Sequence, residues 1–165
     1  MQMENEYKWI NLSYLDDVSN GDSSIKLSII ELFIEQIPEF ERDFALAFST
    51  KNWKFLGQIA HKAKSSILYM GMDELGNVDL KNIELIAYQL YIDTLLKLSN
   101  LSEKEINDIE HLKNSFESYT NERKEWVIKN KSEENISNLL KKFSDICSYA
   151  VIELNCELNK NKVNY

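Results

Sequence analysis

Apolar residues recur in steps of three and four along most of this chain, and little punctuates them. Ile30, Phe33, Ile37, Phe40, Phe44 and Ala47 form one such series. Trp53, Leu56, Ala60, Ala63, Ile67 and Met70 form the next. That period places each set on one stripe of an α-helix. The 165 residues hold only 4 Gly and 1 Pro. An all-β fold needs a turn signal about every 8–12 residues, and this supply is too small for one. The spacing predicts an all-α protein, one domain over residues 1–165, with antiparallel helices on short connections around one core. Hydrophobic residues make up 44% of the chain, enough to build that core and to exclude wholesale disorder.

The boundaries follow from the capping residues. Residues 13–18 read as a short first helix, closed by a turn at Asn20-Gly21. Asp22 or Ser23 caps the long helix after it. Pro38 lies inside that helix and removes one backbone bond. Because the stripe keeps its phase on both sides, a kink is expected and not a break. The next helix starts near Asn52 and ends at Gly71, since glycine accepts the left-handed conformation there. A further helix covers part of 73–98, with Ile83, Ile86, Ala87 and Leu90 on one side and a start weakened by Gly76-Asn77. Ser102 and Glu105 read as a capping box, opening a helix with Ile106, Ile109, Leu112, Phe116 and Tyr119 inward. Residues 129–135 (KNKSEEN) form a polar break in which Ser132 can cap the last helix. That helix buries Leu139, Phe143, Ile146, Ala150 and Leu154. Residues 160–165 are expected to fray.

Charge and cysteine usage narrow the function. A net charge of −8 argues against nucleic-acid binding, which needs a basic stripe, and against docking on an anionic membrane. No apolar run approaches the roughly 18–20 residues of a membrane span. The first ten residues, MQMENEYKWI, lack the apolar stretch of a signal peptide. A soluble, cytoplasmic monomer is the expectation. Cys147 and Cys156 match no zinc or iron–sulfur spacing. On one helix they would lie about 13 Å apart, too far for a disulfide, so both are expected reduced and packed as small apolar residues. No pair of carboxylates stands beside a histidine at ligand spacing, so no metal or other cofactor is expected.

The helix at 52–70 carries the chemistry, in the segment AHKAKSSILYMG from Ala60 to Gly71. His61 lies one residue past a core alanine and so points about 100° away from the buried stripe. Lys64 and Ser65, at i+3 and i+4, share its face. Gly57 and Ser65 are small and leave the imidazole approachable along the helix. Gln58 adds a neutral hydrogen-bonding group, and Leu68 continues the same stripe. An exposed imidazole is largely neutral at pH 7 and nucleophilic at nitrogen. A lysine one turn away can neutralise a phosphoryl group carried on it, and phosphoryl transfer needs mostly positioning and charge stabilisation. Ser66 lies nearer the buried side and can hold the helix or the ring's surroundings.

His61, Lys64, Ser65, Ser66 and Gly71 resemble the signature of histidine phosphotransfer (HPt) domains, His-x-x-Lys-Gly-Ser with a glycine near the end of the helix. Asn52-Trp53 after a long helix and the segment LSYLDDVSNGD also resemble that family. The resemblance covers residues 10–90 and extends to the last helix. It implies an up-and-down four-helix bundle with His61 as phospho-acceptor and Lys64 as its supporting cation. It implies exchange with the aspartate of response-regulator receiver domains, including the receiver of a hybrid sensor kinase, in two-component signalling. Magnesium would sit on the receiver. Gly57, Gln58, Ser65 and Leu68 would then form the docking face, with Ser66 and Gly71 supporting it. Two features depart from the family. Serine replaces the usual glycine at 65, and a surplus of about 30–40 residues lies within 76–130. The helix over 103–128 either replaces a family helix or is inserted.

Two other readings compete with this one. A sensor-kinase dimerisation domain usually has an acid directly after its histidine, where this chain has Lys62, and no glycine-rich ATP-binding segment is present. A phosphoryl carrier without kinase machinery, not an enzyme in its own right, fits better. The alternative is a helical interaction module that has lost phosphotransfer. His111 lacks comparable neighbours and reads as an ordinary surface histidine.

Overall fold

The computed structural model describes residues 6–162. Among them are seven α-helices and no strand. They are α1 (Ser13–Val18), α2 (Ser23–Ser49), α3 (Trp53–Tyr69), α4 (Lys81–Leu95), α5 (Glu103–Glu117), α6 (Asn121–Lys129) and α7 (Glu133–Lys162). A π-helical turn, Leu75–Leu80, leads directly into α4. No helix among the described residues is long and apolar enough to cross a membrane.

The breaks fall where the backbone chemistry puts them. Asn20 and Gly21 both take positive φ, and the Asp22 carboxylate accepts from the amides of Ser24 and Ile25 at the head of α2. α2 runs unbroken through Pro38, with its whole predicted stripe buried on both sides of the proline. Asn52 Oδ1 accepts from Phe55 N to cap α3. Gly71, at φ 70°, closes the other end. A side chain there would also place its Cβ 2.1 Å from the Asn11 carbonyl oxygen. Both the left-handed turn and the close backbone approach require glycine.

α2 packs on α3, α3 on α4 and the π-turn, α4 on α7, and α7 back on α2. These elements close a ring, and their apolar stripes fill it. Phe44 of α2 meets Phe143 of α7 edge to face at 5.4 Å. The segment before α1 is tied across the ring. The amides of Lys8, Trp9 and Ile10 donate to the Glu153 carboxylate of α7, and Asn11 N donates to Met70 O at 2.9 Å.

The sequence expectations need correction at several places. The helix predicted within 73–98 opens as a π-turn, a wider coil frequent near functional sites. Gly76 lies inside it, directly against Leu68, where a Cβ would come within 2.7 Å of Leu68 Cδ2. The helix over 103–128 is two helices, with Tyr119 in the connection. Of its five predicted inward residues only Phe116 is buried, and Ile106 is 52% exposed. The cause is position. α5 lies outside the ring, against α4, and polar bonds hold much of it. In α7, Phe143, Ala150 and Leu154 are buried as predicted, along with Ile136, Cys147 and Leu158, while Leu139 and Ile146 are half-buried. α7 continues through Lys162, so residues 160–162 are helical and not frayed; residues 163–165 lie outside the described residues. Cys147 and Cys156 are both free, but only Cys147 is buried. Burial pushes the Cys147 thiol up, with the Glu41 charge adding to it.

Candidate functional site

The register of α3 fixes the site. Ala60 and Ala63 face the core, so the residue between them that turns outward by one step is His61. Its side chain is 70% exposed. Gln58 and Ser65 are exposed on the same flank, and Lys64 is half-buried. Among the described residues Lys64 makes no hydrogen bond or ion pair, which leaves its ammonium open to an incoming anion. Ser66 Oγ donates to Gln36 Oε1 at 2.9 Å and ties α3 to α2.

Two predicted docking residues sit differently from expectation. Gly57 is buried. The Tyr88 ring of α4 lies over it so closely that a Cβ would come within 2.4 Å of Tyr88 Cε1. Its absent side chain admits α4 and does not open a path to the imidazole. Leu68 is half-buried against Gly76 and presents only part of its surface.

The residue that periodicity missed is Glu84. It lies on α4 among Ile83, Leu85, Ile86 and Ala87, all buried, and its side chain is only 8% exposed. Its Oε1 lies 3.1 Å from His61 Nδ1, and its Oε2 accepts from Lys81 Nζ at 2.9 Å. A carboxylate can only accept, so Nδ1 carries the ring proton and Nε2 carries the lone pair. Nε2 has no protein partner among the described residues. The one sequence signal was an acid embedded in an apolar run, which must find a donor if it is buried.

His61 stands at the edge of a cleft of about 490 Å³ between α3 and α5, with Glu84 and Tyr88 also lining it. Burial first, and then the charge of Glu84, push the Tyr88 hydroxyl up to about 12. Asp108 anchors α5 there. It accepts from Lys54 Nζ at 2.6 Å and from Tyr91 Oη at 2.9 Å. The Lys54 bond holds the Asp108 carboxyl below the usual carboxylate range. His111, an ordinary surface histidine by sequence, lies on the same cleft. Further along α3, Tyr14, Ser65, Leu68 and Tyr69 line an open hollow of about 590 Å³. The Tyr14 and Tyr69 rings lie 5.5 Å apart, both exposed. Among the described residues no group of three or more His, Cys, Asp or Glu could hold a metal ion.

The arrangement offers one nucleophilic ring nitrogen to solvent, a buried acid behind the ring and a free ammonium beside it. Compared with known proteins, the chain matches no family model, no curated protein and no solved structure.

Proposed function

We propose that this chain is a histidine phosphotransfer protein of a cytoplasmic phosphorelay, and that its ring of long helices is an up-and-down four-helix bundle of that type. The observation that carries the reading is the state of His61: Nδ1 held by a buried carboxylate, Nε2 free at the surface. In the proposed step Nε2 attacks the phosphorus of a receiver's aspartyl phosphate. The N–P bond forms as the P–O bond breaks, and the aspartate leaves as a carboxylate. The ring gains positive charge as the bond forms, and Glu84 stabilises it through the Nδ1 proton. Lys64 faces the phosphoryl oxygens. A second receiver then takes the group by the reverse chemistry.

The exposed Tyr14 and Tyr69, with the half-buried Leu68, give a receiver an apolar surface around Ser65, one helical turn from the nucleophile. Exposed aromatic residues of this kind are enriched where proteins dock. Gln58 lies on the α5 side of His61 and adds a hydrogen-bonding group there. The chain acts as a carrier and takes its phosphoryl group from a protein donor, a receiver domain or the receiver of a hybrid sensor kinase.

The test is transfer from a panel of pre-phosphorylated receiver domains to wild type, His61→Ala and Lys64→Ala. Wild type gains an acid-labile, base-stable label, His61→Ala gains none while remaining helical, and Lys64→Ala is labelled more slowly. No label on folded wild type from any receiver would assign the chain instead to a helical binding module.

A further inference from the structure

The elaboration at α5–α6 reaches His61 through three side chains. Tyr119, in the α5–α6 connection, faces Lys81, whose Nζ lies 5.2 Å from the ring centroid. Lys81 donates to Glu84 Oε2 at 2.9 Å, and Glu84 Oε1 meets His61 Nδ1 at 3.1 Å. Lys81 is confined, with only 12% of its side chain exposed. Burial works against its charge, but bonds to Tyr119 and Glu84 outweigh that and hold the ammonium above the usual lysine range. The Tyr119 ring and the Glu84 carboxylate together fix the ammonium in place.

We propose that Lys81, held by Tyr119, is a positioning residue that keeps the Glu84 carboxylate accepting from His61 Nδ1, and so sets which ring nitrogen is free. The inference deepens the phosphotransfer reading but concerns the resting ring, which can be observed without any phosphoryl donor. The physical reason is the cost of an uncompensated buried charge. Without Lys81, Glu84 loses its counter-ion, and the carboxylate gains by turning away from Nδ1 toward the open cleft. Released from that acceptor, the ring is free to carry its proton on Nε2, the atom that has to attack. Tyr119 acts one step further back, by keeping the ammonium against Glu84. In this way a segment outside the helical ring controls a nucleophile on it.

The experiment is nitrogen NMR of the full chain with ring-labelled histidine, at a pH where the rings are neutral, with His111 as the internal comparison. Wild-type His61 is expected mainly as the Nδ1–H tautomer. Lys81→Met shifts it toward Nε2–H, Lys81→Arg restores it, and Tyr119→Leu shifts it in the same direction by less. Circular dichroism checks the fold of each variant, and if Lys81→Met does not fold, the half-buried Tyr119 decides. An unchanged His61 tautomer in the folded variants overturns the inference, even where receivers label wild-type His61 normally. A tautomer that responds as described supports it, even where no receiver labels the protein.

Discussion

All six predicted stripe residues of α2 are buried, whereas of the four predicted for α5 only Phe116 is. Both helices have apolar residues at helical spacing, so the period alone does not separate them. What differs is the number of neighbours. α2 has a partner on each side of the ring, α3 and α7, and its whole stripe is buried. α5 rests on α4 from outside, with a capping box at its head, an aspartate anchor at Asp108 and one buried aromatic. Amphipathic spacing therefore states that a helix has an inner face; the helix's place in the packing decides how much of that face is covered.

The largest effect that sharpens this contrast is expected in the ring. Trp53 is buried and meets Phe48 edge to face at 5.9 Å. Trp53→Ala should cost about 3–5 kcal/mol, read as a lowered urea midpoint for the whole chain. Phe116→Ala should cost less, about 2 kcal/mol, because the outer segment can close over the space. An equal loss for the two would place α5 on the same footing as the ring and break the comparison.

A smaller and more local effect is expected at Asp108. Its bonds are partly solvent-exposed, so Asp108→Asn should cost only about 1 kcal/mol, seen as faster amide exchange in α5 with α2 and α3 unchanged. The same anchor predicts an acid dependence. The Asp108 carboxyl titrates below its ordinary value of 3.8 in the folded chain. The stability it adds is complete above that value and is lost as pH falls through the lower folded one. Amides of α5 should therefore lose protection in acid through this group, and Asp108→Asn should remove that part of the dependence. The smallest effect belongs to Ile106, half-exposed despite its place in the stripe. Ile106→Ala should stay within about 0.5 kcal/mol of wild type, and a loss above 1 kcal/mol would mean that α5 is buried in solution.

Legibility in the sequence follows the same division. The stripes of α2 and α3, the Asn52 and Asp22 caps, the Ser102–Glu105 box and the Gly71 terminus were all readable, because each depends on residues within one or two turns. His61 was readable as exposed, since one step from Ala60 fixes its direction. Glu84 was not, because its meeting with His61 depends on how α4 lies across α3. Tyr88 over Gly57 has the same origin: a glycine in a helix can mean an open face or a close neighbour, and only the packing distinguishes them. The split of α5 from α6 turns on Tyr119 and Thr120, where Thr120 caps α6 through Arg123 N, a local signal hidden by an apolar series that ran on through Tyr119.

The central claim is that His61 accepts phosphoryl on Nε2. The most direct measurement is combined phosphorus and nitrogen NMR of the ring-labelled chain after reaction with a phosphorylated receiver, locating the nitrogen bonded to phosphorus. The account predicts a single adduct on Nε2 of His61, with Nδ1 still facing Glu84. Phosphorus on Nδ1 of His61, phosphorus on His111, or an unlabelled His61 in the folded protein after every receiver has been tried, would contradict it.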